Sequence, residues 1–167
     1  MLLNAEQLNI SPLNYILSVE GFTGIQWYQC EHWAQDENHG GAIGTTRIYD
    51  GNSIFARATR TMNESGSVDY MKIFGKNAGD EDWTPFNVVV TQDASLIFAR
   101  ASTSLAIGSS SDTIGDKPND ASFGDTTGVI TCNAGDSFAL WIRRTITAGT
   151  PVHGQYVETV IQMQEAM

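Results

Sequence analysis

The chain has 167 residues, of which 41% are hydrophobic and only 17% charged, and it contains 16 glycines. This length is enough for one domain with its own core, and the composition is typical of strands and turns rather than of exposed helices. The net charge of −10, with no Lys or Arg before Arg47, argues against nucleic acid and membrane surfaces as partners, because both bind clustered cations. We also expect no membrane span and no export signal, since the chain has neither an apolar run of about 18 residues nor a basic leader.

The first 20 residues are predicted to form an arm and a short helix ahead of a β domain that spans 21–167. Ser11 and Pro12 are a good helix start, with serine as N-cap and proline in the first turn. Leu13, Ile16 and Leu17 follow at helical spacing. The segment before them is apolar and packs either on the core of its own domain or on a neighbouring subunit. Its candidate partner-binding residues are Leu2, Leu3, Leu8 and Ile10.

From Gly21 onward, short β-type segments alternate with turn clusters rich in Gly, Asn and Asp. This regular spacing is typical of an all-β sandwich or barrel. We therefore predict an all-β fold, specifically an antiparallel β-sandwich of the jelly-roll type. The predicted strands lie near 25–33, 45–49, 53–59, 68–74, 86–91, 95–102, 128–132, 137–147 and 156–163.

The segment 137–147 has the clearest strand pattern. Phe138, Leu140 and Ile142 alternate with polar or aromatic neighbours, and alternate residues of a strand point to opposite faces of the sheet. The three apolar residues are therefore predicted to face the core. Trp141 and Arg143 are predicted to face the other way.

The segment 107–127 is predicted to be a long polar loop. Apart from Ile114 and Phe123 it holds almost no apolar residue beyond its first position. Loops of this length without structure of their own are uncommon and are usually functional or mobile. We therefore interpret this loop as a candidate contact surface.

The sequence shows no spacing that is typical of an active site. Its three histidines, His32, His39 and His153, form no His-x-His pair, and the chain has neither a Gly-x-Ser-x-Gly elbow nor a phosphate-binding loop. We predict a non-enzymatic protein without catalytic residues, cofactor or metal. The carboxylate clusters at 80–82 and 112–125 leave two alternatives open, solvated acidic turns and a Ca²⁺ site.

Cys30 and Cys132 are the only cysteines. Both lie in apolar, strand-like segments without metal-ligand spacing. They are interpreted as buried, reduced thiols that act as small hydrophobic residues. A single disulfide between them is the alternative.

Aromatic residues are the main indication of a binding surface. Such side chains fill cores, anchor subunit interfaces or stack against sugars, depending on their exposure. We predict that some of them face outward and bind a partner. The candidates are Trp33, Trp83, Trp141 and Phe123.

Residues 134–144, Ala-Gly-Asp-Ser-Phe-Ala-Leu-Trp-Ile-Arg-Arg, precede an Ala-Gly-Thr-Pro turn at 148–151 and a last strand at 156–163. This arrangement resembles the closing strands of trimeric jelly rolls. These include the jelly-roll decoration, or cement, proteins of tailed-phage capsids and, less closely, the domains of the tumour-necrosis-factor/C1q type. The resemblance covers about 30 residues, and no individual residue role is transferred from it.

The resemblance implies a virion structural protein that stabilises a coat lattice as a homotrimer. Its partners would be the major capsid protein or other virion subunits. Its location would be the capsid surface, after assembly in the host cytoplasm. The alternative is a carbohydrate-binding β-sandwich that uses exposed tryptophans to bind a glycan.

Overall fold

The computed structural model describes residues 13–17, 22, 24–49, 54–56, 58–92, 101–149 and 157–167. It contains eight strands and one short α-helix, with a 3₁₀ turn at Asp120–Ser122. In chain order the elements are β1 (Leu13–Leu17), β2 (Ile25–His32), β3 (Gly40–Ile48), α1 (Arg60–Ser65), β4 (Ser67–Asn77), β5 (Phe86–Gln92), β6 (Ala101–Gly108), β7 (Ser137–Ile146) and β8 (Val157–Glu165).

The strands form two sheets. The larger sheet has the order β3-β2-β4-β7-β6, and all of its neighbours are antiparallel. The smaller sheet has the order β1-β8-β5, in which β5 is antiparallel and β1 parallel to β8. The predicted all-β class and the β-sandwich architecture are confirmed. The jelly-roll strand order stays a prediction.

The hydrophobic core lies between the two sheets. On β7, Phe138, Leu140 and Ile142 point into it, as the alternation in this strand predicts. Phe86 and Ile161 approach from the smaller sheet and are fully buried. We call this side of the larger sheet its inner face and the opposite side its outer face.

The predicted helix near residues 11–20 is wrong where the structure describes this segment. Leu13–Leu17 is a strand that pairs along its full length with Val157–Ile161 of β8. A helix this short is marginal by itself, whereas a strand gains ladder hydrogen bonds from its neighbour. The sheet therefore outweighs the local preference. The predicted arm contacts at Leu2, Leu3, Leu8 and Ile10 lie outside the described residues.

A short helix forms instead at Arg60–Ser65, directly after the strand that was predicted at 53–59. Thr59 is its N-cap, and Oγ1 of Thr59 accepts a hydrogen bond from the backbone N–H of Met62 (3.2 Å). The helix ends at Gly66, whose φ of +79° is accessible to glycine at little cost. The predicted strand at 53–59 is wrong at the residues that the structure describes there.

One side of the sandwich is closed by the segment 124–130. Within this segment, Thr126 and Ile130 form bridges to β5, while Gly124 forms a bridge to β6. The predicted strand at 128–132 is therefore limited to an isolated bridge at Ile130. On the opposite side, β1 and β3 end their sheets, because no described strand pairs with their outer edges.

The described part of the chain contains no helix that is both long enough and apolar enough to cross a membrane.

Candidate functional site

Two loops lie on the outer face of the larger sheet. One connects β2 to β3 (33–39), and the other follows β6 (109–124). They contact each other where the backbone N–H of Gly115 donates to the carbonyl of His39 (3.1 Å). We call these two loops together the cover. The predicted long loop thus exists, but part of it packs on the sheet.

Lys72 attaches the cover to the centre of the sheet. Its side chain is fully buried, and Nζ donates to the carbonyl of Gly41 and to Oδ2 of Asp116, both at 2.8 Å. A buried ammonium group needs such partners, because leaving water is costly for a charge. A Cβ at Gly40 would lie 3.2 Å from Oδ1 of Asp116, so this approach favours glycine at position 40.

The side chain of His39 accepts a backbone hydrogen bond from β4 at a position where a neighbouring strand would normally accept it. Strands β2 and β4 pair only as far as Gln29 and Ile73. One residue beyond, the backbone N–H of Lys72 donates to Nε2 of His39 at 2.7 Å, which requires a lone pair on that nitrogen. Burial lowers the pKa of His39 below its ordinary value, because the cationic ring would lose its hydration. His39 lies in the loop between β2 and β3, and its burial was not expected from the sequence.

Cys30 lies against the same histidine. Its Sγ is 3.4 Å from Nε2 of His39 and 3.4 Å from the carbonyl oxygen of His32, to which the thiol donates. Burial raises the pKa of the Cys30 thiol. A reactive cysteine needs an accessible thiolate, so this pair is a packing contact and not an activated nucleophile.

The second cysteine, Cys132, is also free and buried, and burial raises the pKa of its thiol. It packs with the core between the two sheets, whereas Cys30 packs on the outer face. The prediction of two buried, reduced thiols is confirmed, and the alternative of a disulfide is wrong.

A polar cluster of Tyr70, Lys117 and Asp120 lies at the edge of the cover. The Tyr70 hydroxyl and the Lys117 ammonium group each donate to Oδ1 of Asp120 at 2.8 Å. These hydrogen bonds lower the pKa of the Asp120 carboxyl, and the hydrogen bond from Lys117 has the larger effect. Lys117 also lies 4.2 Å from the centre of the Tyr70 ring, a cation–π arrangement.

A cavity of about 360 Å³ opens between the two loops of the cover and the start of β4. Its walls come from the segments 35–39, 68–70 and 115–117, with Trp141 at the sheet. Its size is at the lower end of the range for small-molecule sites, roughly 300–1,000 Å³. Charged, amide and aromatic side chains line this open space.

The predicted surface aromatics lie deeper than expected. Trp141 does point to the outer face, but the cover leaves it only 2% exposed, and Phe123 is buried beside it. Trp33 is half-buried against His39, with ring centres 5.3 Å apart. Trp83 is half-buried against Phe22, at 5.6 Å. Trp141 therefore points outward as predicted, but it is not accessible, because loops cover the face to which it points.

The acidic clusters are paired or hydrogen-bonded in part. Asp116 pairs with Lys72 and Asp120 with Lys117, while Oδ1 of Asp82 accepts from the backbone N–H of Ala134. Within the described ranges, no group of three or more His, Cys, Asp or Glu side chains is placed to hold a metal ion.

Lys72, Tyr70 and Gln35 were not singled out by the sequence analysis, and Asp116 was considered only as part of the carboxylate cluster at 112–125. One signal for them existed. Residues 71–75 of β4 and 138–142 of β7 are buried at every position, and each segment is almost continuously apolar in sequence. Such a strand is typical of a sheet that is covered on both faces. It would have predicted that side chains on the outer face are buried too.

This arrangement offers hydrogen bonding and shape rather than an exposed nucleophile. Gln35, Asp36, Lys117 and the neutral His39 line the cavity, and the buried Cys30 lies against His39. Comparisons with models of known protein families, with curated proteins and with solved structures find no match to this chain.

Proposed function

We propose that this protein is a capsid decoration protein, a trimer that binds and stabilises the coat lattice of a virion. The observation that carries the proposal is the position of β1. This strand ends the smaller sheet, and the apolar residues Leu2, Leu3, Leu8 and Ile10 stand directly before it in the chain. An apolar arm that begins at a sheet edge is well placed to reach a neighbouring subunit.

The way the sandwich is closed also supports contact with a neighbouring subunit on the side of β1. On one side, the segment 124–130 connects β5 and β6, so those strands already have partners. On the other side, β1 and β3 end their sheets among the described strands, although Gly40 of β3 forms a bridge to Ile114. The edge of a sheet is a natural site for association with another chain. In a closed trimer of cyclic symmetry, each arm would contact the next subunit in the same way.

The glycan-binding alternative on exposed tryptophans receives less support. Trp33 and Trp83 are half-buried in aromatic contacts with His39 and Phe22, so both are less exposed than a tryptophan that serves as a stacking platform for a sugar.

Light scattering after size-exclusion chromatography tests the proposal. We expect the full chain to elute as a trimer and the quadruple variant Leu2→Ser, Leu3→Ser, Leu8→Ser, Ile10→Ser to elute mainly as a monomer. The matched control replaces Asn4, Gln7 and Asn9 with serine and should leave the trimer intact. A full-length chain that is monomeric at every concentration contradicts the trimer.

Binding to the lattice needs a second experiment. Purified capsids of the virus that encodes the chain are mixed with the protein and sedimented. We expect saturable co-sedimentation of the full chain, and weaker co-sedimentation of the serine variant of the arm. Absence of the protein from purified virions, shown by mass spectrometry, contradicts a role in the capsid.

A further inference from the structure

We propose that the cavity beneath the cover binds a neutral, polyhydroxylated ligand, which is the chemistry of a sugar ring. This site is independent of the decoration function proposed above and of the arm residues that carry it. It is also distinct from the surface tryptophans that the sequence analysis considered for glycan binding.

The walls of the cavity combine apolar and polar surface. Trp141 and Val68 contribute apolar area, and Tyr70 contributes an aromatic wall. Gln35, Asp36 and Glu37 line the cavity from the loop between β2 and β3. Small-molecule sites typically have this form, a mainly apolar concavity with a few polar groups that fix orientation.

The charges around the cavity disfavour an anion. Asp36 and Glu37 would repel it, and the ammonium group of Lys117 is already paired with Oδ1 of Asp120 at 2.8 Å. Asp69 also borders the cavity, but its carboxylate belongs to the inner face, where Oδ2 accepts from Arg144 at 2.7 Å. A neutral ligand avoids this repulsion. Hydroxyl groups, which donate and accept, suit a wall that offers both carboxylates and donors.

Several of these polar groups are already held in place. Oε1 of Gln35 accepts from the backbone N–H of Ala56 (2.9 Å), which leaves the amide NH₂ as a donor. Oδ1 of Asp36 accepts from the backbone N–H of Asn38 (2.8 Å), which fixes the orientation of the carboxylate. Groups that are ordered before binding lose less conformational entropy when the ligand arrives.

The cover itself is anchored from below. Lys72 binds Asp116 and Gly41, and His39 accepts from the backbone of Lys72, so both loops that line the cavity are tied to β4. A buried ion pair is an unusual way to attach a loop, because apolar packing would stabilise it at less desolvation cost. Its effect here is to hold the two walls at a defined separation.

The test uses amide proton–nitrogen correlation NMR of the full chain. The probes are glucose, galactose, mannose and N-acetylglucosamine, each added up to about 50 mM, which exceeds the roughly millimolar Kd of a weak small-molecule site. We expect at least one sugar to give saturable shifts that centre on the amides of 35–39, 68–70 and 115–117. Absence of saturable shifts there with all four sugars overturns the proposal.

Two matched variants separate the cavity from unspecific surface binding. Val68 and Val129 are both about half exposed, at 49% and 59%, but only Val68 lines the cavity. Val68→Tyr should fill the cavity and weaken sugar binding by at least about tenfold, while Val129→Tyr should leave the Kd unchanged. Equal Kd values for both variants would place the sugar elsewhere and overturn the assignment of the site.

The class of ligand is tested with two charged probes. Saturable cavity shifts with lysine methyl ester or inorganic phosphate, and none with the sugars, overturn the assignment to a neutral ligand.

Discussion

The inner and the outer face of the larger sheet are both buried, but by different means. The inner face packs apolar side chains, such as Ile73 and Leu140, against the smaller sheet. The outer face lies under the cover and carries an ion pair, a neutral histidine and a thiol among its aromatic residues. One face therefore depends on shape and apolar area, whereas the other depends on specific polar partners.

This difference has a consequence for mutations. An apolar core tolerates a change of side chain if the volume is kept, but a buried charge does not tolerate the loss of its partner. The outer face should therefore be the more sensitive to single polar substitutions. The inner face should be the more sensitive to added volume.

The largest effect is expected at the anchor of the cover. Asp116→Ala leaves the ammonium group of Lys72 buried without its carboxylate and should lower the free energy of unfolding by about 3–5 kcal/mol. Urea denaturation measures this value. Asp112→Ala, an exposed aspartate of the same loop, is the control and should change it by less than about 0.5 kcal/mol. Equal effects of the two substitutions would refute the anchoring role.

A companion variant shows whether charge or packing is responsible. The double substitution Lys72→Met, Asp116→Leu removes both charges and keeps apolar volume. It should recover most of the stability lost in Asp116→Ala, because no unpaired charge remains. A double variant as unstable as the single one would point to lost packing instead.

The next effect is expected on the inner face, at Gly75. A Cβ there would collide with the ring of Phe138 and would lie 3.1 Å from Cζ3 of Trp27. Gly75→Ala should therefore cost about 1–3 kcal/mol through overpacking. Gly128→Ala is the control, since its Cβ would lie 3.7 Å from Ile107 and should be tolerated. A neutral Gly75→Ala would mean that the inner face is less tightly packed than these distances indicate.

A smaller effect is expected from pH, through His39. Above its ordinary pKa of about 6.5 the ring is neutral in both the folded and the unfolded state. Below that pH the unfolded chain takes up a proton that the folded chain resists, because the folded pKa is lowered by burial. The free energy of unfolding should therefore decrease as the pH falls from about 7.5 to about 5.

The slope of this dependence is the quantity to compare between variants. His39→Gln should flatten it between these pH values, whereas His32→Gln, at an exposed position, should not. The same slope in both variants would assign the dependence to other groups.

The smallest effect is expected for the two cysteines, which should not react with an alkylating reagent in the native protein. Burial raises the pKa of both Cys30 and Cys132, so neither thiol should react with iodoacetamide in the native protein at neutral pH. In denaturant both should be alkylated, and intact mass measures the difference. Rapid labelling of Cys30 alone in the native protein would show that the cover over the outer face opens more readily than the core between the two sheets.

The fold class was predictable because alternation in strands such as β7 records which residues face a core. The strands β2, β4, β5, β7 and β8 lie close to their predicted positions. The helix prediction near Leu13 was wrong, since a five-residue segment carries too little local preference to oppose pairing with β8.

The candidate site was much less predictable. Lys72 and Asp116 are 44 positions apart in the chain, and His39 is 33 positions from Lys72. Periodicity reports which way a side chain points, but it does not report what covers that side. Trp141 illustrates this limit, because its direction was predicted correctly and its accessibility was not.

By itself, the sequence determined the all-β class, the inward residues of the core and the acidic, cation-poor surface, because these depend on composition and on the two-residue period of strands. Only the tertiary structure decided that the outer face is covered, that Lys72 is buried with a partner and that a cavity forms between two loops. These features arise from contacts between distant segments, whose polar residues look the same in sequence whether they face water or each other.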